Sequence, residues 1–222
     1  MPAKTTQSRT SAAQTYLKGR NALQLNVFIG ANLAVFLALL VSNDFSASAV
    51  DGFWQRVTAK DGLIAAVIPI LAIVLSGVFS DIWKARLVFW RWHHPLPGCR
   101  VFSHLLAVDD RIDKPALAKR LGNYPIEPDR QNALWFSLYK KHGQARTVSE
   151  AHRVFLLTRD MASISALFAI LMPLGVFAQR MQWSTAATYA ALLLVQFASC
   201  AIAARNYGNR FVLNVLVEEL HN

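Results

Sequence analysis

Four stretches of the chain are apolar and free of formal charge, and the segments between them carry the charge. They are Ala22–Val41, Leu63–Phe79, Met161–Ala178 and Thr185–Ala204. A helix needs roughly 20 residues to cross about 30 Å of hydrocarbon. The pattern therefore predicts an all-α integral membrane protein with four transmembrane helices, paired into two hairpins around a long helical insert. As core helices of a soluble protein, four such stretches in 222 residues would leave too little polar surface to cover them. Ala47-Ser48-Ala49 has the small-x-small form of a signal-peptide cleavage site. The apolar run before it is longer than a usual signal core, and the expectation is an uncleaved anchor.

Charge sets the orientation. Lys4, Arg9, Lys18 and Arg20 precede the first span with no acid among them. Ser42–Gly62 holds Arg56 and Lys60 against Asp44, Asp51 and Asp61, whereas residues 80–160 hold fourteen basic and eight acidic residues. Arg180 stands alone between the last two spans, and Arg205 and Arg210 follow them. Excess Lys and Arg mark cytoplasmic loops. Both termini and the insert are thus expected in the cytoplasm. Trp54 and Trp183 fall in the outer loops and Trp83 just below the second span, as an interfacial belt would have them. The domain map that follows is a tail at 1–20, a hairpin at 21–80, a basic helical domain at 81–160, a hairpin at 161–204 and an amphipathic C-terminal helix at 205–222. Overall the chain is 54% hydrophobic, 16% charged and +10 in net charge. Its two cysteines, Cys99 and Cys200, are too few for a disulfide framework.

Helical spacing continues past the second span through Ile82, Trp83, Leu87, Trp90 and Trp92, projecting the helix roughly 15–20 Å onward before His93-His94-Pro95-Leu96-Pro97-Gly98 stops it. Asp113 and Pro115 open a short helix that Gly122 closes. Asp129 opens another that ends at Gly143 with Lys140, Lys141 and His142 in its last turn. The capping box Thr147-Val148-Ser149-Glu150 starts a third, which runs into the third span, where Pro173 should kink it. These helices are expected to close a small core on Trp135.

Candidate chemistry is sparse. His93, His94, Cys99 and His104 could ligate a metal, although histidines at a helix end also satisfy its carbonyls by position alone. Asp109, Asp110 and Asp113 have the chemistry to hold a divalent ion, but beside Arg111 and Lys114 they read as a solvated turn. Arg146-x5-His152 fits the loose spacing of HEPN-type ribonucleases. No phosphate-binding loop, dinucleotide fingerprint, zinc-protease helix or nucleophile elbow occurs. No cofactor is expected, and an enzyme built on the His93/His94/Cys99/His104 cluster is the minority reading. Lys84, Arg86 and Arg91 suit anionic lipid headgroups, at about 1 kcal/mol each. Lys119, Arg120, Lys140, Lys141, Arg146, Arg153 and Arg159 are candidates to dock a soluble cytoplasmic protein, a nucleotide or nucleic acid. The spans hold no charge of the kind a pump places at mid-membrane, but they do hold Asn26, Asn32, Ser163, Ser165 and Gln196. The small-x3-small steps Gly30/Ala34, Ala187/Ala191 and Ser199/Ala203 favour close helix approach and a homo-oligomer.

The order of parts resembles a bacterial conflict-system family, the four-helix membrane effectors associated with nucleotide-second-messenger synthases. It is carried by the polar lead-in Gln14-Thr15-Tyr16-Leu17-Lys18-Gly19-Arg20, the hairpin–insert–hairpin layout, and Gln131-Asn132 before Trp135. The resemblance implies antiviral defence, with a sensed signal opening or perturbing the inner membrane, as a pore would. The alternative is a passive membrane anchor or scaffold that recruits a soluble protein.

Overall fold

The structure, a computed structural model, describes residues 3–42, 59–178 and 183–221. The regular elements among the described residues are helices: α1 Ala3–Ser42, α2 Ala59–Val78, α3 Asp81–Phe89, α4 Lys114–Leu121, α5 Pro128–His142, α6 Arg146–Ala178 and α7 Trp183–His221. Between α3 and α4 lie a 3-10 turn at Pro97–Arg100, a π turn at Val101–Leu105 and one helical turn at Leu106–Val108. No strand occurs among the described residues. Residues 43–58 of the predicted first loop, with Trp54 and the Ala47-Ser48-Ala49 site, and Arg180 lie outside them.

Three helical segments are long and apolar enough to cross a membrane: Asn21–Val41 of α1, Arg146–Phe177 of α6, and α7, Trp183–His221. The fourth predicted span falls in α2, which is not among these three over the described residues.

Two compact units emerge. The apolar bundle comprises the described parts of Ala22–Ser80 and Asp160–Cys200. The helical body comprises Asp81–Arg159, Ala201 onward, and the segment up to Asn21.

In the bundle, Ile29, Phe36, Leu39 and Leu40 of α1 pack with Ile164, Leu167, Phe168, Met172 and Val176 of α6, and with Ala186, Tyr189 and Leu193 of α7. Polar side chains inside this packing satisfy one another. Gln196 Nε2 donates to Asn32 Oδ1 at 3.0 Å and to Ser165 Oγ at 3.2 Å, and the Tyr189 hydroxyl meets Met172 Sδ at 3.1 Å. Three of the predicted uncharged polar residues thus form a knot between helices, while Asn26 faces outward. Gly30, Ala34, Ala187, Ala191 and Ser199 are exposed, Ala203 is half-buried, and nothing lies within 4 Å of a Cβ placed on Gly30. The small-residue steps therefore do not serve packing within this bundle. Its outer surface carries Leu23, Val27, Val67, Ile70, Ile170, Leu174 and Val195, each at least half exposed. An apolar surface of this kind needs a cover other than water.

The helical body closes on aromatic rings. Phe211 of α7 sits edge-on to Trp135 and Tyr139 of α5, with centroids 5.4 and 5.5 Å away, and stacks on His152 of α6 at 4.4 Å. Phe155 and Phe89 extend the chain of rings. The core predicted around Trp135 is present. Gly208 lets α7 come close to it: a Cβ there would lie 2.8 Å from Phe89 Cζ and 2.9 Å from Phe155 Cε2. Gly208→Val is therefore expected to cost about 1–3 kcal/mol through overpacking, read as a lower unfolding midpoint of the purified protein in detergent.

Local signals came out unevenly. Asp113 caps α4 by accepting from Ala116 N at 3.0 Å, and Gly122 ends it at φ +74°, where a side chain would be strained. α5 begins at Pro128, one residue before Asp129, and ends at Gly143 as predicted. The projection of the second span does not run on as one helix: α2 stops at Val78 and Asp81 opens α3 as a first-turn acid. α3 ends at Phe89, short of Trp92, because Trp90 turns to φ +51°. The predicted capping box does not form. α6 starts at Arg146, the Thr147 hydroxyl donates to Glu218, and Glu150 pairs with Arg153 at 2.8 Å. Pro173 lies inside an uninterrupted α6. The separate C-terminal helix is also corrected, since α7 runs without a break from Trp183 to His221.

Candidate functional site

The site is built on the irregular turn at residues 97–105, where repetitive hydrogen bonding gives way to side-chain clamps from α5. Gly98 packs so tightly under α5 that a Cβ would sit 2.3 Å from Asn132 Oδ1 and 3.1 Å from Trp135. Gln131, fully buried, accepts from the backbone N–H groups of Phe102 and Ser103, both at 3.2 Å, and donates to Ile126 O at 3.0 Å. An amide with both ends used in this way satisfies backbone groups that the turn leaves open. Gln131-Asn132 thereby fixes the placement of the next residue after Cys99, Arg100.

Arg100 points into the helical body with its guanidinium carbon 4.9 Å over the Phe89 ring. Its Nη2 donates to Asn209 Oδ1 at 3.4 Å, and its buried Nη1 has no partner. Arg205 of α7 lies 4.3 Å over Trp90, donates to Val88 O at 3.4 Å, and has a buried Nε without a partner. Burial pulls the Arg100 pKa below its usual value, and the like charges of Arg91 and Arg205 pull the same way. Among the described residues, neither arginine is paired with a carboxylate.

Beside Asn209 opens a cleft of about 410 Å³, lined by Arg111, Asn206, Asn209, Arg210 and Leu213. Arg111 is held by Asp109, with Nη2 to Oδ2 at 2.6 Å, and by Asn214 Oδ1 at 3.1 Å. The hydrogen bond from Arg111 holds the Asp109 carboxyl below the usual carboxylate range. The predicted solvated turn has in this way a definite task in orienting Arg111. The four residues of α7 that line the cleft follow helical spacing, so they share one face.

The residues singled out in the sequence are placed as follows. His94 and Cys99 come together, not with His93 and His104, which are exposed, but with Asp129; the ligating atoms of the three lie within 4.8 Å of one another. His94 Nδ1 donates to Asp129 Oδ1 at 3.0 Å. Burial pushes the Cys99 thiol up, Asp129 adds to this, and Arg100 opposes it. A zinc ion there would find one imidazole, one thiolate and one carboxylate with a fourth position open, at the cost of the thiol proton.

Of the membrane-surface candidates, Arg86 stacks between Trp83 and Trp92, Arg91 is exposed and Lys84 is buried. Four of the docking candidates are used inside the body. Arg120 donates to the Glu219 carbonyl, Lys141 pairs with the Glu219 carboxylate at 2.9 Å, Arg153 bonds Asn21 and Glu150, and Arg159 pairs with Asp81 at 2.9 Å. Lys119, Lys140 and Arg146 are exposed, with Lys140 over the Phe136 ring. His152 is buried against the Tyr139 hydroxyl at 3.1 Å, while Arg146 is exposed, so the ribonuclease spacing does not make a shared site.

Sequence reasoning passed over Arg100 and used Arg205 and Arg210 only for orientation. The available signal was the run Arg205-Asn206 and Asn209-Arg210, polar groups one helical turn apart directly beyond an apolar span. Compared with protein-family models, curated proteins and solved structures, the chain matches none.

Proposed function

We propose that this is a multi-pass protein of the bacterial inner membrane, with four spans in two hairpins, the fourth span being α2, and with both termini and the helical body in the cytoplasm. In this reading it acts as a homo-oligomeric sensor or membrane-perturbing effector in antiviral defence: the body receives a signal or a soluble partner, and the spans respond. The observation that carries it is that α6 and α7 each combine an apolar stretch long enough for a bilayer with residues of the body core, without a break in the helix. A continuous helix transmits displacement along its axis, because its hydrogen bonds must break for it to bend sharply. The uncharged spans, the outward Leu, Ile and Val side chains and the basic excess of the insert support the same arrangement.

Inducible expression together with phage challenge is expected to depolarise the cells and arrest growth, read with a potential-sensitive dye and by optical density. Unchanged potential and growth under challenge reject the effector reading. The exposed Lys119, Lys140 and Arg146 favour one second reading, a passive anchor for an acidic soluble protein. That reading forecasts a stoichiometric partner in detergent pull-downs and no change in potential.

A further inference from the structure

Arg100 and Arg205 present an unbalanced arrangement. Each guanidinium is held on an aromatic face, each makes one long hydrogen bond of 3.4 Å, and each keeps a buried N–H atom without an acceptor. Leaving a charged donor out of water and unbonded costs more than an ordinary hydrogen bond returns. Arg91 adds a third positive charge that Arg100 feels. The groups around them are the Asn209 amide, the Val88 backbone carbonyl and aromatic faces, and the neighbouring cleft adds Arg210, Asn206 and the oriented Arg111. Asp109 balances Arg111, but among the described residues no carboxylate pairs with Arg100 or Arg205, so the site is complete only with an anion.

We propose that Arg100 and Arg205, with Asn209 and Arg210 beside them, form a receptor for a phosphate group. The donors come from two elements, the 97–100 turn and α7, which Arg100 links through Asn209, and a tetrahedral anion with three or more acceptor oxygens offers more directions of acceptance than a planar carboxylate, which meets one fork. The phosphate comes either from an anionic lipid headgroup or from a soluble phosphate ester. Two features bear on the source. Arg205 is the first residue after the fourth apolar run, and Trp90 and Trp92 are more than half exposed, as interfacial tryptophans are. The cleft lined by Arg111 and Arg210 lies up to two turns farther along α7, and it is wide enough for a larger soluble ester. The lipid source rests on the membrane reading above; the soluble source does not.

The test uses the full chain purified in neutral detergent. Thermal unfolding is followed with phosphatidylglycerol, with phosphatidylcholine as the neutral control, and separately with inorganic pyrophosphate. One of the two anionic probes is expected to raise the midpoint, saturably and less so at high salt. Arg100→Gln and Arg205→Gln should each weaken that response roughly tenfold or more, while Arg130→Gln, at an exposed surface arginine paired with Glu127, leaves it unchanged. Without probe, Arg100→Gln should unfold no earlier than the parent, because it removes a buried like charge and an orphan donor. That outcome separates lost binding from lost folding. A response to phosphatidylglycerol alone assigns the headgroup, and a response to pyrophosphate alone assigns a soluble ester. No response to either, or a response that both glutamine variants retain, overturns the proposal. The assay reads purified protein, so its failure leaves the depolarisation test standing, and a silent depolarisation test leaves this one readable.

Discussion

Trp135→Ala is expected to cost the helical body about 3–5 kcal/mol, the range for deleting a large buried aromatic side chain. Trp135 is 8% exposed, stacks on Tyr139 with centroids 5.6 Å apart, meets Phe211 edge-on at 5.4 Å, and donates its indole N–H to Val212 O at 3.1 Å. It touches α5 and α7 and braces Gly98 in the turn that carries Arg100. Its loss leaves a cavity at the junction of three elements, and close-packed neighbours recover little of that volume. A domain with 5–15 kcal/mol to spend does not absorb this unnoticed. Limited trypsin digestion in detergent should show new cuts at Lys140, Lys141 and Arg146, and the unfolding midpoint should fall. Trp135→Phe keeps most of the area and loses the hydrogen bond, so its effect should be well under half as large. A Trp135→Ala protein as protease-resistant as the parent would remove Trp135 from the centre of the core.

What the sequence made readable was local. Asp113 and Gly122 bracket α4 because a carboxylate at a helix start and a glycine past its end act within one turn. Trp135 stood out because its apolar neighbours recur at helical spacing. The four charge-free runs announced themselves by composition. The failures share a physical origin in distant partners. Thr147 and Glu150 have the spacing of a capping box, yet their side chains are taken by Glu218 and Arg153, and the α7 partner is 71 residues away. Arg100 meets Asn209 across 109 residues, so no window of sequence contains that site. Ion pairs of the basic candidates were hidden for the same reason. Lys141, Arg153 and Arg159 read as free surface charge until the fold brings Glu219, Asn21 and Asp81 to them. The metal set was half legible: His94 and Cys99 are five residues apart, but Asp129 is recruited from α5 in place of His93 and His104.

Glu219 gives the second large effect, and it carries a pH signature. It lies in the last turn of α7, buried to 6% exposure, where Oε2 accepts from His142 Nε2 at 2.6 Å and from Lys141 Nζ at 2.9 Å. Arg120 of α4 donates to its backbone carbonyl, so one residue ties three helices. Glu219→Ala removes one partner from a buried, hydrogen-bonded charge group and leaves His142, itself 6% exposed, without an acceptor. About 3–5 kcal/mol is the expected loss for breaking such a pair from one side. Glu219→Gln keeps the shape and one acceptor, and should cost about 1–3 kcal/mol at neutral pH. Burial alone would raise the Glu219 pKa, but the hydrogen bonds and charges of Lys141 and His142 outweigh it and hold the carboxyl below its usual value. A depressed folded pKa means that the folded state binds fewer protons than the unfolded one. The stabilisation is therefore complete above the unfolded carboxyl pKa of about 4.3 and is lost as the pH falls through the folded value. The gap in stability between parent and Glu219→Gln should accordingly be widest near neutrality and shrink through the acid range. Asp109, also depressed, should leave the variant a residual acid limb of its own. Unfolding midpoints measured in detergent across that range decide the matter: a gap that stays constant with pH would mean that Glu219 holds α7 by shape and not by charge.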